Sequence, residues 1–250
     1  MSDFPTIPLF GLPLAAVTAD EFIARLIAWS GEADRPRVAG YLNAHTANLL
    51  HRDPAHRANL ERMDLVYADG MAVVRATRRL APPGLPERVN AGDFLTRFLW
   101  TAATRGRRVA LVGSRPRAVT SCAAAMEKRV DGLRFVLVRD GHFGIGSPEE
   151  ARLLEELRAA RPDILLAGMG SPRQEAWALS LPGHGVTIPV TWCVGALFEY
   201  YGYRRRAPVW MREAGLEWAF RLALEPRRLA RRYLLGNIEF LYRVRQAARK

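Results

Sequence analysis

The chain has almost no lysine. Of its 37 basic residues only Lys128 and Lys250 are lysine, which leaves 35 arginines. Cysteine is equally scarce. Cys122 and Cys193 stand alone, which excludes a disulfide framework, a Cys-x-x-Cys redox pair and a cysteine-held metal site, and fits a reducing cytoplasm. No G-x-x-x-x-G-K-[ST] loop, His-Glu-x-x-His pair, Gly-x-Ser-x-Gly elbow or Asp-x-Asp pair occurs. Those absences remove P-loop nucleotidases, zincin and α/β-hydrolase chemistry and a metal–diphosphate clamp of the Asp-x-Asp kind. Gly168 and Gly170 begin a G-x-G, but Arg173 stands where a dinucleotide fingerprint needs its third glycine. The first residues carry no basic stretch followed by an apolar run, so no signal peptide is expected. Residues 176–198 lack Asp, Glu, Lys and Arg, yet Pro182, Gly183, Gly185 and Pro189 interrupt them. A helix end, a turn and a buried strand are expected there, not a membrane span.

What is present is a globular composition with an unusual charge. The 250 residues are 49% hydrophobic and 25% charged, enough for one large α/β domain or a domain with an appendage. The formal net charge is +12. Arginine forks bidentately onto phosphate, so a polyanionic partner is expected: nucleic acid, an anionic membrane or a diphosphate substrate.

Hydrophobic periods alternate along the chain. Strands are expected at 37–42, 64–67, 108–112, 134–138, 163–167 and 188–194. Helices of 10–15 residues fill the intervals, with a capping box at Ser147-Pro148-Glu149-Glu150. Strands alternating with helices imply βαβ units in a mostly parallel sheet, with ligands at the carboxyl ends of the strands. Residues 1–200 are read as this α/β core and residues 201–250 as a helical appendage. The last 51 residues hold thirteen basic residues against four acidic ones, a local +9. From Pro226 on, at roughly 100° per residue, seven arginines including Arg228 and Arg231 share an arc of about 160°. Leu229, Tyr233, Leu234, Phe240, Leu241 and Val244 oppose them, with Leu235 and Ile238 as exceptions. A basic amphipathic helix of this type suits an anionic membrane surface; equally it packs its apolar side on the core and leaves the arginines in water.

Candidate functional residues follow the strands. Asn43, after the first strand, can hydrogen-bond a sugar or cap a helix. Asp69, beside Gly70 at the end of the second, can act as a general base or as an N-cap. Arg88, in Glu87-Arg88-Val89-Asn90, can hold a phosphate or lie on the surface. Gly168-Met169-Gly170-Ser171-Pro172-Arg173-Gln174-Glu175 opens a helix whose glycine N–H groups suit an anion, with Pro172 at its first position. Gln174 and Glu175 would then accept hydroxyl hydrogen bonds. Arg206 and Arg221 belong to an arginine-dense stretch that can grip a diphosphate or merely solvate a helix.

In order along the chain, Leu42-Asn43-Ala44, Ala68-Asp69-Gly70, Glu87-Arg88-Val89, Gly92-Asp93, Val112-Gly113, Gly168 to Glu175, Val194-Gly195, Arg206-Ala207-Pro208, Gly215-Leu216-Glu217-Trp218 and Glu225-Pro226-Arg227-Arg228 resemble the WecG/TagA/CpsF glycosyltransferases. The resemblance implies a Rossmann-like core with a mobile C-terminal appendage. It implies an inverting transfer of a sugar from a UDP-sugar donor to a polyprenyl-diphosphate-linked saccharide, without metal or other cofactor, in bacterial cell-surface polymer synthesis. The enzyme would work in the cytoplasm, peripherally on the inner membrane face. The resemblance assigns Asp69 as base and Asn43, Gln174 and Glu175 to the donor pocket; Arg88, Gly113, Gly168 and Gly170 join them as donor-binding candidates. Arg206, Arg221, Arg228 and Arg231 match positions for the lipid diphosphate. Tyr41 and Glu199 depart from the threonine and aspartate that members often carry, and both bear on donor identity. A homo-oligomer is left open. A non-catalytic scaffold in polysaccharide assembly is the alternative. Nucleic-acid binding is set aside, because it leaves Asp69, Gln174 and Glu175 without purpose and no aromatic–basic stacking platform is evident.

Overall fold

The computed structural model describes residues 4–32, 34–202 and 206–249, with Glu213, Arg228 and Arg232 described without their side chains. Two short strands, β1 (Thr6–Leu9) and β2 (Leu12–Ala15), form an antiparallel hairpin. The sequence reading did not include it, because Pro8 and Pro13 sit inside it; an isolated two-stranded edge tolerates them. The order then runs α1 (Ala19–Trp29), β3 (Arg37–Leu42), α2 (Ala44–Arg52), α3 (Pro54–Glu61), β4 (Leu65–Ala68), α4 (Met71–Leu80), α5 (Ala91–Thr104) and β5 (Val109–Gly113). It continues with α6 (Pro116–Arg129), β6 (Phe135–Arg139), α7 (Pro148–Ala160), β7 (Ile164–Gly168), α8 (Arg173–Ser180), β8 (Val190–Cys193) and α9 (Leu197–Gly202).

Six strands make a parallel sheet in the order β4-β3-β8-β7-β5-β6 flanked by helices, a Rossmann-like α/β fold as expected. Strands such as β5 (VALVG) and β7 (ILLAG) are buried along their whole length. A parallel sheet covered on both faces demands such unbroken apolar runs.

The chain divides into two compact units. One comprises Asp20–Gly40 and Ala91–Arg204. Its core includes Trp192, stacked on Phe94 at 5.8 Å and met edge-on by Phe22 and Phe98. Gly113 lets β5 touch β7: a Cβ there would lie 2.4 Å from the Gly168 carbonyl carbon. The Pro172 expectation shifts by one residue, since Pro172 is the N-cap and α8 starts at Arg173.

The other unit comprises Met1–Ala19, Tyr41–Asn90 and Arg205–Lys250. Its C-terminal part is helical: α10 (Val209–Glu213), α11 (Glu217–Leu224), α12 (Pro226–Ala230), a π-helical turn Arg231–Leu235 and α13 (Gly236–Ala247). The single helix read from Pro226 onward is thus interrupted. A π turn accommodates an extra residue and shifts the angular register beyond it. Leu229, Phe240 and Val244 are buried as expected, whereas Leu234 and Leu241 join Leu235 and Ile238 in solvent. Asn48 Nδ2 donates to the Gly236 carbonyl at 2.7 Å, Phe240 meets Phe10 edge-on at 6.0 Å, and Glu239 pairs with Arg52 and Arg243.

Candidate active site

Asp69 leaves the end of β4 at a corner. Its own N–H donates to the Leu42 carbonyl at 2.9 Å, and Gly70 follows at φ +132°, a conformation that glycine adopts without strain. Gly70, not Asp69, is the N-cap of α4, and it makes no side-chain cap bond. The carboxylate is therefore not spent on that helix.

Two asparagines hydrogen-bond it. Asn43 caps α2: its Oδ1 accepts from the N–H groups of His45 at 3.0 Å and Thr46 at 3.1 Å. With Oδ1 so occupied, its side chain also hydrogen-bonds Asp69. The cap reading of Asn43 thus holds, and the rest of its amide is turned to Asp69. Asn90 Nδ2 donates to Asp69 Oδ1 at 2.7 Å, and Arg206 Nη2 donates to Asn90 Oδ1 at 3.4 Å. The loop bearing Arg88 and Asn90 is tied to the strand end by the Val89 N–H, which donates to the Ala68 carbonyl at 3.0 Å. Glu217, at the start of α11, lies 3.6 Å from both Arg88 and Arg206.

Removal from water, with repulsion from Glu217, pushes the Asp69 carboxyl up from 3.8 to about 6. Arg88 and the bonds from Asn90 and Asn43 oppose that rise. A carboxylate poised near neutrality and hydrogen-bonded in place suits proton abstraction.

The remaining predicted donor residues lie in the other unit. Gln174 and Glu175 are fully buried. Gln174 Oε1 accepts from the N–H groups of Gly170 at 3.2 Å and Gly195 at 3.0 Å, while its Nε2 donates to Glu175 Oε1 at 2.9 Å. Ser171 Oγ also donates to Glu175 Oε1, at 2.5 Å; the buried Glu175 Oε2 has no partner among the described residues. The Gly170 N–H, read from sequence as facing an anion, is therefore directed at Gln174. Gly113 and Gly168 permit close backbone contact, and the Ser114 N–H donates to the Gly168 carbonyl at 2.8 Å.

Of the arginines read as acceptor ligands, Arg206 joins the Asp69 network. Arg221 lies four residues beyond Glu217 on α11, hence on the same helix face. Arg231 is exposed, and the Arg228 side chain lies outside the described ones. Sequence reasoning missed Asn90 and Glu217 as members of the site, although both sit inside quoted motifs. Among the described residues, no three His, Cys, Asp or Glu side chains gather so as to hold a metal ion, and no helix is long and apolar enough to cross a membrane.

The glycosyl transferase WecG/TagA/CpsF family model matches residues 7–250. The chain belongs to that family. Among curated relatives of this WecG/TagA/CpsF-family member are proteins of Staphylococcus aureus strains NCTC 8325 and COL, each 28% identical over 211 residues, covering 82% of this chain and 80% of the relative. Both are named N-acetylglucosaminyldiphosphoundecaprenol N-acetyl-beta-D-mannosaminyltransferase.

Proposed function

We propose that this chain is an inverting glycosyltransferase that moves a sugar of the N-acetylmannosamine, uronate or glucose type from a UDP-sugar to a polyprenyl-diphosphate-linked saccharide, without a metal. The single observation that carries the reading is the Asp69 carboxylate, raised to about 6 and oriented by Asn90 and Asn43 at a strand's carboxyl end. In one displacement the acceptor hydroxyl loses its proton to Asp69 as its oxygen bonds the anomeric carbon. The bond from that carbon to the UDP oxygen breaks, and its electron pair leaves with UDP. Arg88 and the segments around Gly113, Gly168 and Gly170 are assigned to the donor, and Arg206, Arg221, Arg228 and Arg231 to the acceptor's diphosphate. Full burial of Gln174 and Glu175 supports a supporting role for them in shaping the donor-side turns, rather than direct contact.

The C-terminal helices are proposed to rest on the anionic inner leaflet of the cell membrane. Leu234, Leu235, Ile238, Leu241 and Tyr242 are each more than half exposed and follow helical spacing. Exposed Arg231 precedes this stripe, and exposed Arg245 and Arg249 follow it on the same spacing. Apolar side chains bordered by cations suit an interfacial helix.

The deciding experiment offers UDP-N-acetylmannosamine, its uronate, UDP-glucuronate and UDP-glucose in turn with a lipid-diphosphate acceptor, and reads UDP release. Turnover of one donor is expected. Turnover of none would leave the scaffold reading in its place.

A further inference from the structure

Glu217 stands between two arginines. Its Oε2 is 3.6 Å from Arg88 Nη1 and its Oε1 is 3.6 Å from Arg206 Nη2. The side chains are mostly covered, 14% exposed for Arg88 and Glu217 and 17% for Arg206. A charge-assisted hydrogen bond closes to about 2.7–2.9 Å, so both pairings are loose. Each carboxylate oxygen serves a different guanidinium. A phosphate brings the same sign of charge and more oxygens, and guanidinium groups fork onto it.

We propose that Glu217 is an internal anion that keeps Arg88 and Arg206 paired until a phosphate group of the substrate displaces it. The inference rests on the glycosyl-transfer reading, which supplies a diphosphate-bearing substrate. Without Glu217, two cations would share mostly covered ground and repel each other. With it, both are held ready for the phosphate oxygens that donor and acceptor bring. The exchange also has a consequence for Asp69, whose charged neighbours are Glu217 and Arg88 and whose hydrogen-bond donors are Asn90 and Asn43. A phosphate in place of Glu217 keeps an anion beside Asp69, so its affinity for a proton is preserved when the substrate arrives.

The test uses inorganic pyrophosphate and the full chain, with affinity read by calorimetry at fixed ionic strength. Removing an internal competitor that occupies the arginines most of the time raises apparent affinity by the reciprocal of the free fraction, about tenfold here. Glu217→Gln is expected to bind pyrophosphate more tightly by that factor, and Arg88→Met and Arg206→Met more weakly than wild type. Glu217→Asp, one methylene shorter, carries the same test with a smaller gain if the amide variant does not fold. Unchanged or weaker binding in the folded Glu217 variant overturns the proposal, as does wild-type binding in both arginine variants. In Glu217→Gln the acid limb of kcat/KM is also expected to move to lower pH. Failure of the wider reading looks different: the wild type turns over no UDP-sugar, while the pyrophosphate responses of these variants persist.

Discussion

Asn90 donates its side-chain N–H to Asp69 Oδ1 at 2.7 Å, and its carbonyl oxygen faces Arg206 at 3.4 Å. The cation decides which way the amide points. Were the amide reversed, its oxygen would oppose the carboxylate and its NH₂ would oppose a guanidinium. A residue from the C-terminal segment therefore orients the group that orients the base.

Asp69→Asn keeps the shape of the site and removes the proton acceptor. It is expected to lower kcat by about 10²–10⁴-fold, the range for loss of a general base, with UDP binding unchanged. Single-turnover kinetics beside calorimetry with UDP separate the two. Normal turnover would leave Asp69 no part in the chemistry.

The raised carboxyl group links activity and stability to pH. With a folded value of about 6 against 3.8 unfolded, the folded protein holds a proton in that window that the unfolded chain releases. Stability associated with Asp69 is therefore fully present below about 4 and is lost as pH rises through about 6, by roughly 3 kcal/mol in all. Asp69→Asn is expected to be more stable than wild type at pH 7, by up to that amount, and to match it at pH 4. Urea denaturation at the two pH values checks both.

Asn90→Leu removes a hydrogen bond that favours the ionised form of Asp69. The acid limb of kcat/KM is expected to move above its wild-type position near 6. A pH–rate profile on the free enzyme reads the shift directly, and a limb that stays in place would detach Asn90 from the base.

Gln174→Ala strips partners from two N–H groups, that of Gly195 in a buried setting and that of Gly170 in a half-buried one. Leaving a buried donor unpaired costs about 1–3 kcal/mol and a half-buried one less, so a loss of roughly 1–4 kcal/mol is expected by denaturant unfolding. A loss below about 1 kcal/mol would argue that the two turns do not depend on this amide.

A paired substitution, Ile238→Glu with Leu241→Glu, places negative charge in the exposed apolar stripe. Co-sedimentation with vesicles rich in anionic lipid is expected to fall several-fold, with unchanged UDP release on a water-soluble acceptor analogue. Equal partitioning of variant and parent would remove α13 from the membrane contact.

The parallel core was legible because its strands are unbroken apolar runs bounded by Gly113, Gly168 and similar punctuation; several strands match the expected residues within one or two positions. Asp69 and Asn43 were legible as strand-end polar residues. Asn90 and Glu217 were not, since their importance comes from contacts across many residues of sequence that local pattern does not encode. The hairpin was hidden by its prolines, and the C-terminal helix was drawn as one piece because a helical wheel assumes constant register.

That register is the last consequence. The π turn at Arg231–Leu235 carries one residue more than an α-helix of the same path needs. Excising a single residue there would let the backbone wind on as a regular α-helix along the same path, so Phe240 and Val244 would keep their seat. The same excision within the regular turns of α13 upstream of Phe240 would rotate both by about 100°. The π turn should therefore be the one place in this stretch that tolerates a one-codon deletion.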